Sequence, residues 1–181
     1  MITIKIPESS WYDERTSEFI SVKPVSLNLE YSLISISDWE AKTHKPFLTT
    51  KEKTIDEWLY LFYCMTINKN GIDYRTFYAI PPAEYGRLMD YIKDPMTATK
   101  ISKRDQPTKP AKDMTSEELY AAMSMLNIPY ECKKWHLNRL IMLIDVCAIR
   151  NSPPDKMSKA DAAKSWRELN ARNRAKYKSK G

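Results

Sequence analysis

The chain has 181 residues, 43% of them hydrophobic, which is enough for one domain with a sizeable core. Only three glycines are present, which argues against a glycine-rich phosphate loop and against a tightly turned all-β fold. The net charge is +6, but residues 150–181 carry ten Lys and Arg against three acidic residues, so the rest of the chain is close to neutral.

The first thirty-one residues predict a small antiparallel sheet. Ile2, Ile4 and Ile6 alternate with polar residues, which is typical of a half-buried strand. Two further strands are predicted around Phe19–Val22 and Val25–Leu29, with the polar stretch 8–17 as the loop of the connecting hairpin.

Helical patterns begin near residue 32 and dominate from there to residue 152. The spacing of Leu33, Ile36, Trp39 and Glu40 fits a short helix that ends before Pro46. Ser35 and Ser37 are its competing cap positions.

Two more helices of the body carry start signals. Thr54 and Glu57 have capping-box spacing and open a strongly apolar helix. Asn70-Gly71 predicts a turn, and Pro81-Pro82 predicts the start of a helix that runs to Lys93.

The second half of the chain is punctuated by prolines. Residues 97–113 are polar, basic and proline-bearing, which indicates a flexible linker. Thr115 or Ser116 caps the next predicted helix, and Pro129 lies in the first turn of a helix that includes Trp135 and extends to Cys147. After Pro153-Pro154, a last helix is expected to start at Ser158 or Lys159, with only a thin apolar stripe.

These patterns predict an α+β, mainly α protein. A small N-terminal antiparallel β-sheet (1–31) packs on a helical body (32–152), and a basic C-terminal helix or tail (153–181) follows. Ten side chains at helical spacing are expected to be largely buried: Trp58, Leu61, Phe62, Met65, Leu119, Met123, Trp135, Leu140, Ile144 and Cys147.

The sequence contains little that could perform catalysis or hold a cofactor. Cys132 and His136 stand one predicted helical turn apart, as zinc ligands often do, but no second close pair of Cys or His accompanies them. Asp145 interrupts an apolar helix face, where a paired or exposed carboxylate is a better interpretation than a general base. We therefore expect no enzyme activity, no metal and no cofactor.

Cysteine usage and hydropathy bear on where the protein acts. Cys64, Cys132 and Cys147 are odd in number and lie in apolar contexts, which favours buried thiols in a reducing compartment. The first residues have no charged-then-apolar leader pattern, so no signal peptide is expected. The longest apolar run, residues 140–149, is far shorter than the roughly 20 residues of a membrane span.

The basic C-terminal segment is the candidate site for an anionic partner. Positive side chains near two aromatic rings are typical of non-specific nucleic-acid contacts, although a solvated surface helix explains the same charges. The side chains that would make such a contact are Arg167, Arg172, Arg174, Lys176, Lys178, Trp166 and Tyr177.

Several long blocks of the sequence resemble a family of small tailed-bacteriophage proteins, read as tail assembly chaperones or tail-module proteins. The matching blocks are residues 29–48, 52–65, 94–99, 126–144 and 153–159. Tyr31 and Asp38 depart from the His and Lys expected there, and both are interpreted as surface changes.

The resemblance implies a protein made in the bacterial cytoplasm during phage infection. It would bind the long helical tape measure protein and keep its apolar seams from aggregating until the tail tube polymerises around it. A structural or connector component of the virion head or tail, and a non-specific nucleic-acid-binding protein, remain the alternatives.

Overall fold

The structure, a computed structural model, describes residues 1–14, 17–101, 114–151 and 159–177. The predicted α+β, mainly α architecture is confirmed. Its strands are β1 (Ile2–Ile6), β2 (Ser9–Asp13), β3 (Glu18–Val22) and β4 (Val25–Leu29). Its α-helices are α1 (Leu33–Thr43), α2 (Ile55–Met65), α3 (Pro82–Lys93), α4 (Ser116–Met125), α5 (Leu137–Asn151) and α6 (Lys159–Tyr177), and two 3-10 helices span Tyr74–Ala79 and Tyr130–Lys134.

The four strands form two successive antiparallel pairs, β1 with β4 and β2 with β3. Both pairs share one register, in which Pro7 and Pro24 stand opposite each other between Ile6–Val25 and Ser9–Val22. Proline has no N–H to donate, so two opposed prolines interrupt the ladder. The prediction that residues 8–17 form a loop is therefore wrong in part, because residues 9–13 form β2.

The buried face of this ribbon changes at the prolines. Ile4 and Ile6 are buried in β1, whereas in β2 the inward residue is Trp11, half-buried against Tyr78. As a result Tyr12 and its cross-strand neighbour Phe19 lie on the outer face, and Phe19 is 82% exposed. Trp11 and Tyr12 favour a strand at β2, although the polar residues beside them conceal this tendency in the sequence.

The segment after α2 ties the ribbon to the helical body. The backbone N–H of Ile67 donates to the carbonyl oxygen of Asn28 at 2.8 Å, and the backbone N–H of Glu30 donates to the carbonyl oxygen of Met65 at 2.9 Å. Asn68 completes this edge, because its Oδ1 accepts from Asn28 N–H at 2.9 Å. Both edges of β4 are thus hydrogen-bonded, one to β1 and one to residues 66–68.

Helix α1 has its N-cap about one turn earlier in the chain than the predicted cap positions Ser35 and Ser37. Ser32 is the N-cap, and Ser35 reaches back to it as the third helical residue, so the two serines form a capping box. The prediction that Ser35 or Ser37 caps this helix is therefore wrong. The helix ends at His44, which adopts a left-handed conformation with φ of 54°, before Pro46.

Helix α2 starts as predicted, with Thr54 and Glu57 forming a reciprocal capping box. We expect Thr54→Ala to lower the free energy of unfolding by about 1 kcal/mol, because it removes the acceptor of the Glu57 N–H. Thr54→Ser keeps a hydroxyl acceptor and is the matched control. Urea denaturation of both variants measures the difference, and equal losses would contradict a capping role.

The core lies between the β1–β4 pair and the helices of residues 33–144. Seven of the ten predicted core residues are buried, and Leu61, Phe62, Met123 and Leu140 are fully so. The other three, Trp58, Trp135 and Cys147, are only partly buried and pack against the edge of the core. Trp39 and Phe77 are fully buried as well.

A buried carboxylate joins three segments of this body. Glu40 of α1 is 8% exposed, and its Oε1 accepts from the Phe47 N–H at 2.7 Å. Its Oε2 accepts from the Ser116 N–H at 2.7 Å, at the first turn of α4, where Thr115 supplies the cap. Glu40 therefore accepts hydrogen bonds from two backbone N–H groups, those of Phe47 and Ser116, that have no hydrogen-bond partner within their own segments.

The helix predicted to run from Pro129 to Cys147 is two elements. A 3-10 helix covers Tyr130–Lys134, Trp135 adopts an extended conformation, and α5 begins at Leu137. The break exists because Ser32 and His136 form a β-bridge, with the Leu137 N–H donating to the carbonyl of Tyr31 at 2.7 Å. A tertiary contact thus overrides a continuous helical pattern.

The chain divides into two compact units, residues 1–149 and residues 150–181. Within the second unit the described element is α6, which starts at the predicted Lys159. Ser158 and the Pro153-Pro154 break lie outside the described residues, as does most of the predicted linker, residues 102–113. No helix in the described part of the chain is long and apolar enough to span a bilayer.

Candidate functional site: a tyrosine-flanked cleft and an exposed basic helix

A cleft of about 490 Å³ opens in the first unit where α1 begins and α2 ends. It forms there because the chain leaves α2 at Thr66 to pair with Leu29 at the end of β4, and α1 starts just beyond the same end of that strand. The apolar part of the lining comes from Ile34, Cys64, Met65 and Ile67. The polar part comes from Glu30, Ser32, Ser35, Asp38, Thr66, Lys69 and Lys134.

Two groups of tyrosines lie near this cleft, although none of them is among the residues that line it. Tyr60 and Tyr63 of α2 stack with ring centroids 6.0 Å apart, as neighbours three residues apart on a helix can. Tyr74 packs edge-on against Tyr60 at 6.4 Å. In the second group, Tyr120 of α4 stacks on Tyr130 of the 3-10 helix at 5.6 Å, and Tyr130 is 56% exposed.

Asp38 connects the two groups electrostatically. The pKa of Tyr60 is raised to about 12, first by burial and then by the charges of Cys64 and Asp38. Burial also raises the pKa of Tyr120, with smaller contributions from Tyr130 and Asp38. Both hydroxyls are therefore neutral near pH 7, and the surface offers hydrogen-bonding aromatic rings without phenolate charge. We call this surface the tyrosine-flanked cleft.

Lysines provide the positive charge of the tyrosine-flanked cleft. Lys69 lies 3.6 Å from Asp38, with its ammonium over the Tyr63 ring at 5.2 Å. Lys133 lies over the Tyr130 ring at 4.2 Å, and Lys134 lines the cleft itself. Among the described residues, no carboxylate lies within 4.0 Å of the ammonium of Lys133 or Lys134. Both charges are therefore available to a partner.

The thiol of Cys64 faces the cleft but is not activated. Burial raises its pKa to about 11, although a hydrogen bond shared with Tyr60 acts in the opposite direction. Because the thiolate is the nucleophile, this cysteine is suited to packing and not to attack at neutral pH.

This pKa predicts the pH dependence of alkylation. In a Cys132→Ser, Cys147→Ser variant, the rate of Cys64 modification by iodoacetamide should rise about tenfold per pH unit from pH 8 to 10, since the thiolate fraction grows up to the pKa. A short cysteine peptide, with a pKa of about 8.5, should level off first. Circular dichroism at each pH verifies folding, and a plateau below pH 9 would contradict the raised pKa.

Helix α6 contains most of the residues predicted to contact an anionic partner. Its described side chains, residues 163–174, 176 and 177, are all exposed, including Trp166 at 64%. Trp166, Leu169, Asn173 and Tyr177 follow one another at helical spacing and form one stripe. Arg167 with Arg174, and Arg172 with Lys176, form a positive line on each flank of it. Lys178 lies outside the described residues.

The structure separates the predicted metal-ligand pair. Cys132 belongs to the 3-10 helix, while His136 follows the break, so they are not one turn apart on a single helix. His136 Nε2 lies 3.0 Å from the carbonyl oxygen of Tyr91, and burial lowers the pKa of the ring. Among the described residues, no group of three or more His, Cys, Asp or Glu is placed to hold a metal ion.

The structure also places Asp145, Tyr31 and Asp38, whose surroundings were predicted from the sequence. Asp145 is half-buried in α5, and burial raises the pKa of its carboxyl group. Tyr31, interpreted as a surface change, is instead 3% exposed and packs edge-on against His136 with ring centroids 5.3 Å apart. That interpretation is wrong for Tyr31, whereas Asp38 is exposed.

The tyrosine-flanked cleft has no equivalent among the sequence predictions. The only signal in the sequence is the count of eleven tyrosines, since the rings that meet come from residues 60, 74, 120 and 130. In the comparisons with known proteins, no family model, curated protein or solved structure matches the chain.

Proposed function

We propose that the protein is a tail assembly chaperone of a tailed bacteriophage, which binds the tape measure protein in the host cytoplasm. The sequence blocks that resemble the phage family motivate the proposal. The observation that carries it is the tyrosine-flanked cleft, because tyrosine and lysine around an apolar recess suit protein binding better than small-molecule chemistry.

Physical reasons favour such a surface for holding a client. Tyrosine rings supply large contact area at low conformational-entropy cost, and their hydroxyls stay hydrogen-bonded at a wet rim. Ile67, 61% exposed at the edge of the cleft, adds an apolar contact. A client with exposed apolar seams would cover these groups and be released when the tube protein competes for the same seams.

The test is capture of the tape measure protein from infected cells by the tagged full-length chain. Tyr130→Ala should reduce capture about tenfold or more, because truncating a central interface tyrosine often costs over 1 kcal/mol. Tyr177→Ala, which removes an exposed tyrosine from α6, is the matched control and should leave capture unchanged.

Mass spectrometry of purified virions completes the test. A chaperone is expected to be missing from finished particles. A protein present in them at a fixed copy number, without earlier association with the tape measure protein, would instead be a structural or connector component.

A second candidate function, non-specific nucleic-acid binding, is favoured by α6. Its two positive lines flank an exposed Trp and Tyr, which suits phosphate contact with base stacking. On duplex DNA, log K should fall against log salt with a slope of about −0.9 per phosphate neutralised. Replacing Arg167, Arg172, Arg174 and Lys176 by Gln should flatten that slope by about 3 to 4.

A further inference from the structure

We propose that helix α6 binds single-stranded nucleic acid in preference to duplex, with unpaired bases stacked on Trp166 and Tyr177. The two positive lines beside these rings would hold the phosphates of the strand. This preference rests on the second candidate function, nucleic-acid binding by α6, and names the form of nucleic acid that the helix takes. It is independent of the tail-chaperone proposal.

The charges of α6 are unevenly distributed around the helix axis. Five of its described side chains are basic, and one, Glu168, is acidic. With about 3.6 residues per turn, Glu168 lies roughly 160° around the axis from Trp166. Arg167, Arg174 and Lys176 lie only about 80–100° from Trp166. An anionic chain laid along the stripe would therefore meet positive charge on both sides, with the carboxylate of Glu168 behind the helix.

Two exposed aromatic rings project from the same side of α6. Trp166 is 64% exposed and Tyr177 is 69% exposed. The two positions are separated by roughly 16 Å along the axis and about 20° around it, given the rise and turn of an α-helix. The ammonium of Lys176 lies 5.4 Å from the centroid of the Tyr177 ring. A nucleotide stacked on that ring would bring its phosphate close to this positive charge.

The apolar character of the stripe favours a single strand over a duplex. In a duplex the base faces are stacked on one another, so a helix in the major groove meets base edges. Leu169, 48% exposed between the two rings, has no hydrogen-bonding side-chain group, and the indole of Trp166 has a single donor. In a groove these side chains would cover polar base edges without replacing their bonds to water. Unpaired bases instead offer aromatic faces on which both rings can stack.

A phospholipid surface would attract the same positive charges but suits the stripe less well. Helices that lie on membranes bury an apolar face at the boundary between headgroups and acyl chains. Asn173 stands within the stripe, between Leu169 and Tyr177, and its amide would lose hydrogen bonds to water in that apolar layer. Next to a nucleotide the same amide finds polar partners.

The experiment measures binding of three fluorescent 15-nucleotide probes to the full-length protein by anisotropy. The probes are a single strand of thymidines, an abasic single strand of the same length, and a duplex. At 300 mM salt the thymidine strand should bind at least tenfold more tightly than the abasic strand, which has the same phosphates but no bases to stack. It should exceed the duplex by a similar factor, because duplex binding depends on phosphate contacts that salt weakens.

Variants locate the stacking. Trp166→Ala with Tyr177→Ala should abolish the preference for thymidine over abasic strand and leave abasic binding unchanged, whereas Phe at both positions should retain the preference. Phe19→Ala, which removes an 82% exposed ring from β3, is the matched control and should change nothing. Gln at the four positions of the positive lines should weaken all three probes. Circular dichroism verifies the helix content of each variant.

Equal binding of the thymidine and abasic strands, or a preference that survives the double Ala variant, would overturn the single-strand proposal. A steep salt dependence in that case would still support the second candidate function, whereas no binding of any probe would refute both. Phosphatidylglycerol vesicles provide a competitor of another class. If they displaced the thymidine strand more effectively than unlabelled strand at equal phosphate concentration, the stripe would be assigned to a lipid surface and the proposal would be wrong.

Discussion

Glu40→Gln is expected to lower the free energy of unfolding by about 3 kcal/mol, since each hydrogen bond to a charged group contributes roughly 1.5–3 kcal/mol. The carboxylate is largely buried and accepts from the backbone N–H groups of Phe47 and Ser116 at 2.7 Å each. A glutamine amide has the same shape but only one acceptor oxygen, so its NH₂ group would face a backbone donor. Urea denaturation followed by tryptophan fluorescence measures the loss.

The matched control is Glu118→Gln, the same chemical change in the first turn of α4 at an exposed position. It should shift stability by no more than about 0.5 kcal/mol. If the two variants were equally stable, Glu40 would not hold α1, α4 and the segment around Phe47 together.

Leu140→Ala should destabilise the protein by about 2–5 kcal/mol, the range for a buried leucine replaced by alanine. Leu140 is fully buried on the core-facing side of α5, with Leu137 and Ile144 on the same face. Truncation would leave a cavity that closely packed neighbours cannot fill. Chemical denaturation gives the value directly.

Leu169→Ala is the corresponding control in α6, where the leucine is 48% exposed. A change within about 0.5 kcal/mol is expected there, as for other surface positions. A similarly small effect at Leu140 would mean that this face of α5 is not packed in solution and is free to act as an interface.

Both stability predictions also bear on how binding experiments are interpreted. Variants of the tyrosine-flanked cleft lie at exposed or half-buried positions, so they should change partner affinity without a comparable loss of stability. Glu40 and Leu140 variants should lose both together, because the cleft is built from the ends of α1 and α2 that this core supports.

Elements governed by neighbours in the chain were determined by the sequence itself. The alternation of Ile2, Ile4 and Ile6 predicts β1, and the Thr54–Glu57 capping box predicts the start of α2. Pro81-Pro82 similarly predicts the start of α3. These features depend on contacts within four residues or on the fixed φ of proline, so their physical causes are present in the local sequence.

Elements governed by distant partners were decided only by the tertiary structure. Strand β2 exists because it pairs with β3, and the break before α5 exists because residues 32 and 136 form a bridge. Tyr31 is buried for the same reason, against a histidine more than a hundred residues away. The tyrosine-flanked cleft belongs to this class, since residues from α1, α2, α4 and a 3-10 helix meet there only after long-range packing places them together.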